Sequence, residues 1–307
     1  MSAWTDPAWL ATAHEWIDEQ LERLGIETTG AIEQPHVRPW STVLRVPTGD
    51  GPLWFKANVP LNAYEAGVVS VLARLRSDCV PALVAADLER GWMLMGDAGV
   101  RLRELIEEER DLGRWLDVLP LYAGLQIDAA PHAGELVALG APDRRLVTLP
   151  SQYQGLLDEL GTRGPVERIA EMCEELAAYG IRETIQHDDF HDAQVFVRDG
   201  GYVFFDWGDS CVSHPFFTMS VTLEGQISWG LDDVEGSEDI TRYRAAYLAP
   251  FRHADDLEPA LEIALRLGWI CRALNWHRFA TALESPHREE YLEGVALRLR
   301  MFASRLA

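Results

Sequence analysis

Residues 185–210 read Ile-Gln-His-Asp-Asp-Phe-His-Asp-Ala-Gln-Val-Phe-Val-Arg-Asp-Gly-Gly-Tyr-Val-Phe-Phe-Asp-Trp-Gly-Asp-Ser. Side chains able to do chemistry crowd into this stretch: His187, Asp189, His191 and Gln194, and then Asp206. Two apolar runs, Val195–Val197 and Tyr202–Phe205, flank Asp199-Gly200-Gly201, the pattern of a strand, a tight turn and a second strand. A polar loop precedes the first strand and Asp206 follows the second, so the hairpin brings two acids and an amide to one mouth. Such a mouth offers oxygens to a hydroxyl or to a hard divalent cation. His187 and His191, four apart, also match the metal pair of an H-E-x-x-H helix. That pair needs a helix, however, and strand-forming sequence follows His191 within four residues. The plain alternative is an acidic loop facing solvent.

The order His187-x-Asp189-x4-Gln194, then Asp206-x-Gly208, resembles the H-x-D-x4-N and D-x-G pair of kinase-fold phosphotransferases. More narrowly, it is similar to the aminoglycoside phosphotransferase/choline kinase-like family of small-molecule kinases. The resemblance implies phosphoryl transfer, with Asp189 orienting the acceptor hydroxyl and accepting its proton. It implies that Gln194 and Asp206 give oxygens to Mg²⁺, which takes a few protein oxygens beside phosphate and water. His187 and His191 become loop stabilisers. Two positions depart from the family pattern. Gln194 replaces the usual Asn, with the same amide oxygen one methylene further out. Asp188 stands where a glycine is common and adds a negative charge beside the expected base.

These residues need a facing wall. Lys56 is the one lysine among 27 basic residues, and arginine is no substitute for lysine at a compact phosphate site. Strand patterns cover Ala31–Arg38, Thr42–Val46 and Leu53–Ala57, with Lys56 on the third, facing the same way as Trp54. A helix begins beyond Pro60, with Val68, Val69, Leu72 and Leu75 on one face, and Glu65 belongs to that stripe. A carboxylate on a buried face wants a cation, and Lys56 is the candidate. The resemblance makes this the strand-lysine and helix-glutamate pair that positions nucleotide phosphates. It makes the first hairpin the phosphate cover; its tip has no glycine, and Ser41 and Thr42 are the candidate contacts. It makes Met93–Gly99 the hinge, where Met95 borders adenine and the Gly96 carbonyl and Ala98 amide read its edge.

Asp6-Pro7 reads as the cap and first residue of a helix ending before Gly25. Val80–Leu88 and Trp92–Met95 read as further strands. The pattern then turns helical over 102–109, 112–125, 153–160 and 166–179, with 131–150 connecting. Beyond Pro215 helices are expected at about 216–229, 238–249, 256–283 and 286–305. The expected fold is α+β, two-lobed and protein-kinase-like. A small antiparallel β lobe over residues 1–95 binds the nucleotide, and a larger, mostly helical lobe over 96–307 carries catalysis and the acceptor site.

A net charge of −22 sets aside nucleic acid and anionic membranes as partners. No apolar run reaches transmembrane length, and Met1–Leu10 lacks the marks of a signal peptide. Cys79, Cys173, Cys211 and Cys271 form no C-x-x-C and read as free thiols in a reducing cytoplasm. An acidic chain favours cationic ligands. Asp232, Asp233, Glu235, Glu238 and Asp239 beside Trp229, with Trp269, Trp276 and His277 further on, suggest an amine-bearing acceptor. The expected activity is Mg²⁺-dependent transfer of the γ-phosphate of ATP or GTP to a hydroxyl of a small molecule. Aminoglycosides, amino sugars, sugars and choline-like compounds all qualify, and the chain is expected to act as a monomer or homodimer. The rival with the same fold is an inactive nucleotide- or ligand-binding protein, favoured by Asp188, Gln194 and the glycine-free tip. A zinc hydrolase using His187 and His191 is the other.

Overall fold

The computed structural model describes residues 3–223, 234–238, 240–254, 256–285 and 287–306. Helix α1 (Pro7–Leu24) starts where its sequence says it should. The Asp6 carboxylate accepts the Ala8 N–H at 3.3 Å, and Gly25 ends the helix at φ 67°, a left-handed conformation that glycine holds without a Cβ penalty. The apolar stripe Ala13, Trp16, Ile17 and Leu21 packs on a five-stranded antiparallel sheet. Its strands are β1 (Glu33–Val37), β2 (Ser41–Val46), β3 (Leu53–Asn58), β4 (Leu83–Asp87) and β5 (Trp92–Gly96). They run in the order β1-β2-β3-β5-β4. The first and fourth are shorter than their apolar patterns.

Helix α2 (Tyr64–Leu75) follows β3 through a single turn at Pro60–Asn62. Its buried face joins the larger of two apolar cores rather than the small one under α1. The two cores meet at β5, whose Trp92 and Leu94 belong to the small one and Met93 and Met95 to the larger, so α2 packs with the helical side of the sheet.

That part runs through β6 (Val100–Arg101), α3 (Leu102–Glu109), α4 (Trp115–Ala129), α5 (Ala133–Ala138), α6 (Leu149–Glu159) and α7 (Val166–Ala177). Helix α6 starts before the expected Tyr153, because Pro150 opens it rather than ending the connection. Next come β7 (Thr184–Gln186), β8 (Val195–Arg198), β9 (Gly201–Phe204), β10 (Cys211–Ser213) and the single turn α8 (Met219–Val221). Thus Pro215–Thr218 is a 3₁₀ turn, not the opening of one long helix, and 224–229 lie outside the described residues. The chain closes with α9 (Thr241–Leu248), α10 (Glu258–Ala282) and α11 (His287–Ala303).

The β8–β9 hairpin turns on two residues, Asp199 at φ 51° and Gly200 at φ 78°, with Arg198 opposite Gly201. Two positive φ values match the right-handed twist of the flanking strands. Among the described residues no helix is long and apolar enough to cross a membrane. All four cysteines are buried and free.

Candidate active site

A cavity of about 710 Å³ lies between the sheet and the loop that joins β7 to β8. The loop is fixed from beneath. The His187 N–H donates to the Tyr122 hydroxyl at 3.0 Å, and the Tyr122 ring stacks on Phe190 at 4.1 Å. His187 Nε2–H donates to the Phe205 carbonyl at 2.6 Å, which ties the loop to the end of β9. Burial pushes the His187 pKa down, so the ring stays neutral. Asp192 is buried and accepts from Arg103 of α3 at 2.6 and 2.8 Å. The His191 ring lies 3.5 Å from Asp189 Oδ2 and 3.5 Å from Asp192 Oδ1. Both histidines thus sit in an irregular loop with partners of their own, and the helical metal pair is corrected: the strand at Val195 leaves no room for a helix.

Opposite the loop, Lys56 Nζ donates to Glu65 Oε1 at 2.8 Å and to Asp206 Oδ1 at 2.5 Å. Burial works against the lysine charge, but Asp206 and Glu65 outweigh it and raise the Lys56 pKa above the ordinary lysine range. Burial alone would raise Asp206 too, and Lys56 brings it below the usual carboxylate value. Asn58 Nδ2 takes the second Glu65 oxygen at 2.6 Å. The Tyr64 hydroxyl donates to the Gly208 carbonyl at 2.6 Å. A Cβ at position 208 would stand 3.2 Å from Glu65 Oε2, so the glycine two residues after Asp206 lets the Glu65 helix come close. From α10, Arg278 donates to the Leu61 carbonyl at 3.0 Å and to the Tyr64 hydroxyl at 3.1 Å. Helix α2 is therefore pinned with its glutamate on the lysine.

Asp206 turns at φ 62° and keeps Oδ2 for the cavity, 3.4 Å from the Gln194 amide nitrogen. A flip of that amide brings its oxygen to the same place. Two oxygens at one mouth, with one carboxylate oxygen already neutralised by lysine, fit a hard cation that takes its other ligands from phosphate and water.

Residues 40–262 match the model of the phosphotransferase enzyme family. The chain belongs to that family. A comparison with curated protein sequences gives no match. Among solved structures, choline kinase from Streptococcus pneumoniae is 12% identical with a TM-score of 0.59, covering 94% of this chain and 99% of that one. Macrolide 2′-phosphotransferase from Brachybacterium faecium is 16% identical with a TM-score of 0.57, covering 90% and 96%. A thermostable mutant aminoglycoside phosphotransferase, in ternary complex with AMP-PNP and hygromycin B, is 13% identical with a TM-score of 0.57, covering 94% and 98%. At such identities the likeness establishes the two-lobed kinase-like fold.

Within this family member, Ser41, Lys56, Met95, Ala98, Asp189, Gln194 and Asp206 all line the cavity. Thr42 does not. Adjacent strand residues point to opposite faces, and the Thr42 hydroxyl donates to the His36 carbonyl at 2.8 Å, closing the hairpin. Gly96 pairs with Leu53 and donates its N–H to the Ala82 carbonyl at 2.8 Å, outside the lining. Asp188 has φ 64°, which explains why a glycine is at home there.

Of the acidic cluster, Asp232, Asp233, Asp239 and the neighbouring Trp229 lie outside the described residues. Glu235 and Glu238 are exposed and do not line the cavity. Trp269 is buried elsewhere and His277 lies 3.5 Å from Glu159. Of the expected aromatics Trp276 does line the cavity, and it makes the wall beyond Asp189 with Phe279, Tyr291, Trp40, Arg272 and Asp209. Burial and the nearby charges of Asp189 and Asp206 push the Asp209 pKa up to about 8. Arg272 and Asp209 were not legible as site residues. The signal for Arg272 was present: a charge inside the apolar run Leu267–Leu274 needs a partner, the same reasoning that singles out Glu65.

Proposed function

We propose that this chain transfers the γ-phosphoryl group of ATP or GTP to a hydroxyl of a small molecule. The observation carrying the reading is the network in which Lys56 joins β3, α2 and the end of β9 through Glu65 and Asp206, on the cavity that Asp189 also lines. In the proposed step the acceptor oxygen bonds to the γ-phosphorus and the bond from that phosphorus to the bridging oxygen breaks. The nucleoside diphosphate leaves with the electron pair, and the acceptor proton passes to Asp189. Burial would raise the Asp189 carboxyl, but Arg272 and His191 hold it well below the usual carboxylate range. A carboxylate so poised is ionised and only weakly basic. It suits a loose transition state, where orienting the hydroxyl matters more than early removal of its proton.

Lys56, held by Glu65, would carry the phosphates. Gln194 and Asp206 would hold Mg²⁺, whose charge offsets that of the phosphates. Ser41, Met95 and Ala98 are the nucleotide contacts of this reading; for Thr42 and Gly96, only backbone groups remain for that role. Residues 1–95 serve as the nucleotide lobe and 96–307 as the catalytic and acceptor lobe. The acceptor would lay an apolar or flat face on Trp276, Phe279 and Tyr291. An amine on it would gain from cation–π contact with those rings and from a charge-assisted hydrogen bond to Asp209.

The test is a γ-phosphate transfer screen with ATP and GTP in parallel, against hydroxylated amines, sugars and neutral alcohols. Transfer requiring Mg²⁺ and concentrated on amine-bearing acceptors is the expected outcome. Tight nucleotide binding with no transfer to any acceptor would favour the inactive binding protein instead.

A further inference from the structure

Helix α10 enters the cavity with Arg272, whose side chain is 10% exposed. Its guanidinium forks onto two successive residues of the loop: Nη1 donates to the Asp188 carbonyl and Nη2 to Asp189 Oδ1. The Asp188 carboxylate lies 3.9 Å away and is itself fully engaged. It accepts from Gln186 Nε2 at 3.0 Å on one oxygen and from Asn275 Nδ2 at 2.9 Å on the other. Gln186 also receives the Asp188 N–H at 2.8 Å, and Asn275 Oδ1 receives Arg144 at 3.2 Å. Asp188 is 3% exposed and holds a left-handed backbone that a side chain adopts at a cost. Burying an arginine and an aspartate in a helix–loop contact is also costly unless both are fully paired. A glycine and an apolar residue would have packed there with less strain.

Building on the reading of Asp189 as the proton acceptor, we propose that Arg272 is a positioning residue for Asp189, and that Asp188 is the fixed counter-charge that keeps Arg272 in place. The fork is what makes the role specific. One arm fixes the loop backbone at Asp188 while the other fixes the Asp189 carboxylate, so the two are set together. A lysine ammonium is a point charge and cannot hold both with the same geometry. With Oδ1 taken by Arg272, the acceptor hydroxyl is directed to Oδ2, the oxygen that His191 approaches at 3.5 Å. The same helix, six residues on, holds α2 through Arg278. Helix α10 thus sets the base and supports the lysine–glutamate pair.

The experiment uses the full chain, with the nucleotide and acceptor identified by the transfer screen, and measures kcat and both KM values. Asp189→Asn is measured first: if it keeps wild-type kcat, the reading of Asp189 has failed, whatever Arg272 does. With Asp189→Asn impaired, Arg272→Ala should lower kcat about 10²-fold while both KM values move by less than about threefold, the pattern of misplaced rather than lost binding groups. Millimolar guanidinium should restore at least about a tenth of the lost rate to Arg272→Ala, saturably, and none to Asp189→Asn. A folded Arg272→Ala with wild-type kcat overturns the proposal. So does a change confined to the acceptor KM, which would make Arg272 a binding group, or the failure of guanidinium to rescue a folded variant. If Arg272→Ala does not fold, Arg272→Lys carries the test: reduced kcat at constant KM supports the proposal and wild-type kcat overturns it.

Discussion

The two walls of the cavity are built differently. On the Lys56 side, β3, the helix α2 that follows it and the distant end of β9 converge on one cation, and the contacts are short and mutually satisfied. On the proposed acceptor side the wall is a set of rings. Tyr291 of α11 meets Trp40 of the β1–β2 tip at 5.9 Å, Trp276 at 4.7 Å and Phe279 at 5.5 Å. The first wall is fixed by charge pairing, which tolerates few substitutions. The second is fixed by shape, which tolerates more and can be refitted to a different molecule. Substitutions on the two walls should therefore differ in size and in kind.

The largest effect is expected at Asp206, which serves both Lys56 and the Gln194 mouth. Asp206→Ala should lower kcat about 10³-fold or more, since the oxygen that would hold Mg²⁺ against the phosphates and a partner of Lys56 are lost together. Steady-state assays with titrated Mg²⁺ would show whether excess metal fails to restore it, as expected. Lys56→Arg comes next. The planar guanidinium cannot replace a compact ammonium shared by Glu65 and Asp206, and kcat/KM for the nucleotide should fall about 10²-fold. Trp276→Ala should act on the other wall alone. It should raise the acceptor KM about tenfold, near the worth of an aromatic contact, and leave the nucleotide KM unchanged. A Trp276→Ala variant that weakens both substrates equally would erase the distinction between the walls.

The smallest effect concerns Asp209 and pH. With its folded pKa at about 8, Asp209 is protonated in both folded and unfolded chains below about pH 4. Between that point and pH 8 the unfolded chain gives up a proton that the folded chain keeps, so folding is progressively disfavoured as pH rises. Asp209→Asn removes this proton uptake. In thermal melts without nucleotide, its stability relative to wild type should rise by roughly 1 kcal/mol per pH unit between pH 5 and pH 8. A constant difference across that range would mean Asp209 titrates normally.

What could be read from the sequence follows the same division. The Lys56–Glu65 pair was legible because a charge in an apolar stripe demands a partner and the chain has one lysine. The β8–β9 hairpin was legible because Asp-Gly supplies two left-handed residues between alternating strands. Ser41 and Thr42 look equivalent at the hairpin tip, but strand alternation sends them to opposite faces and only Ser41 lines the cavity. Of the proposed acceptor wall only Trp276 was legible: Trp40, Phe279 and Tyr291 join it across three separate elements, and aromatic residues in a helix look the same whether they fill a core, as Trp269 does, or line a cavity. The glutamates of the 232–239 cluster that fall among the described residues face solvent instead, since a run of like charges is most cheaply hydrated. Arg272 was missed for a different reason: Asp189 reads as the base and Asp188 as an added negative charge beside it, and nothing local in the sequence points either of them to a cation more than 80 residues away.

The central claim is that Asp189, and not its neighbour Asp188, receives the acceptor proton. Comparing Asp189→Asn with Asp188→Asn in the same transfer assay, with nucleotide affinity measured separately, tests it most directly. Asp189→Asn should lose about 10²- to 10⁴-fold in kcat, the span for removing a positioned proton acceptor, with nucleotide affinity intact. Asp188→Asn, still able to accept hydrogen bonds, should lose about tenfold. A fully active Asp189→Asn beside an inactive Asp188→Asn would contradict it.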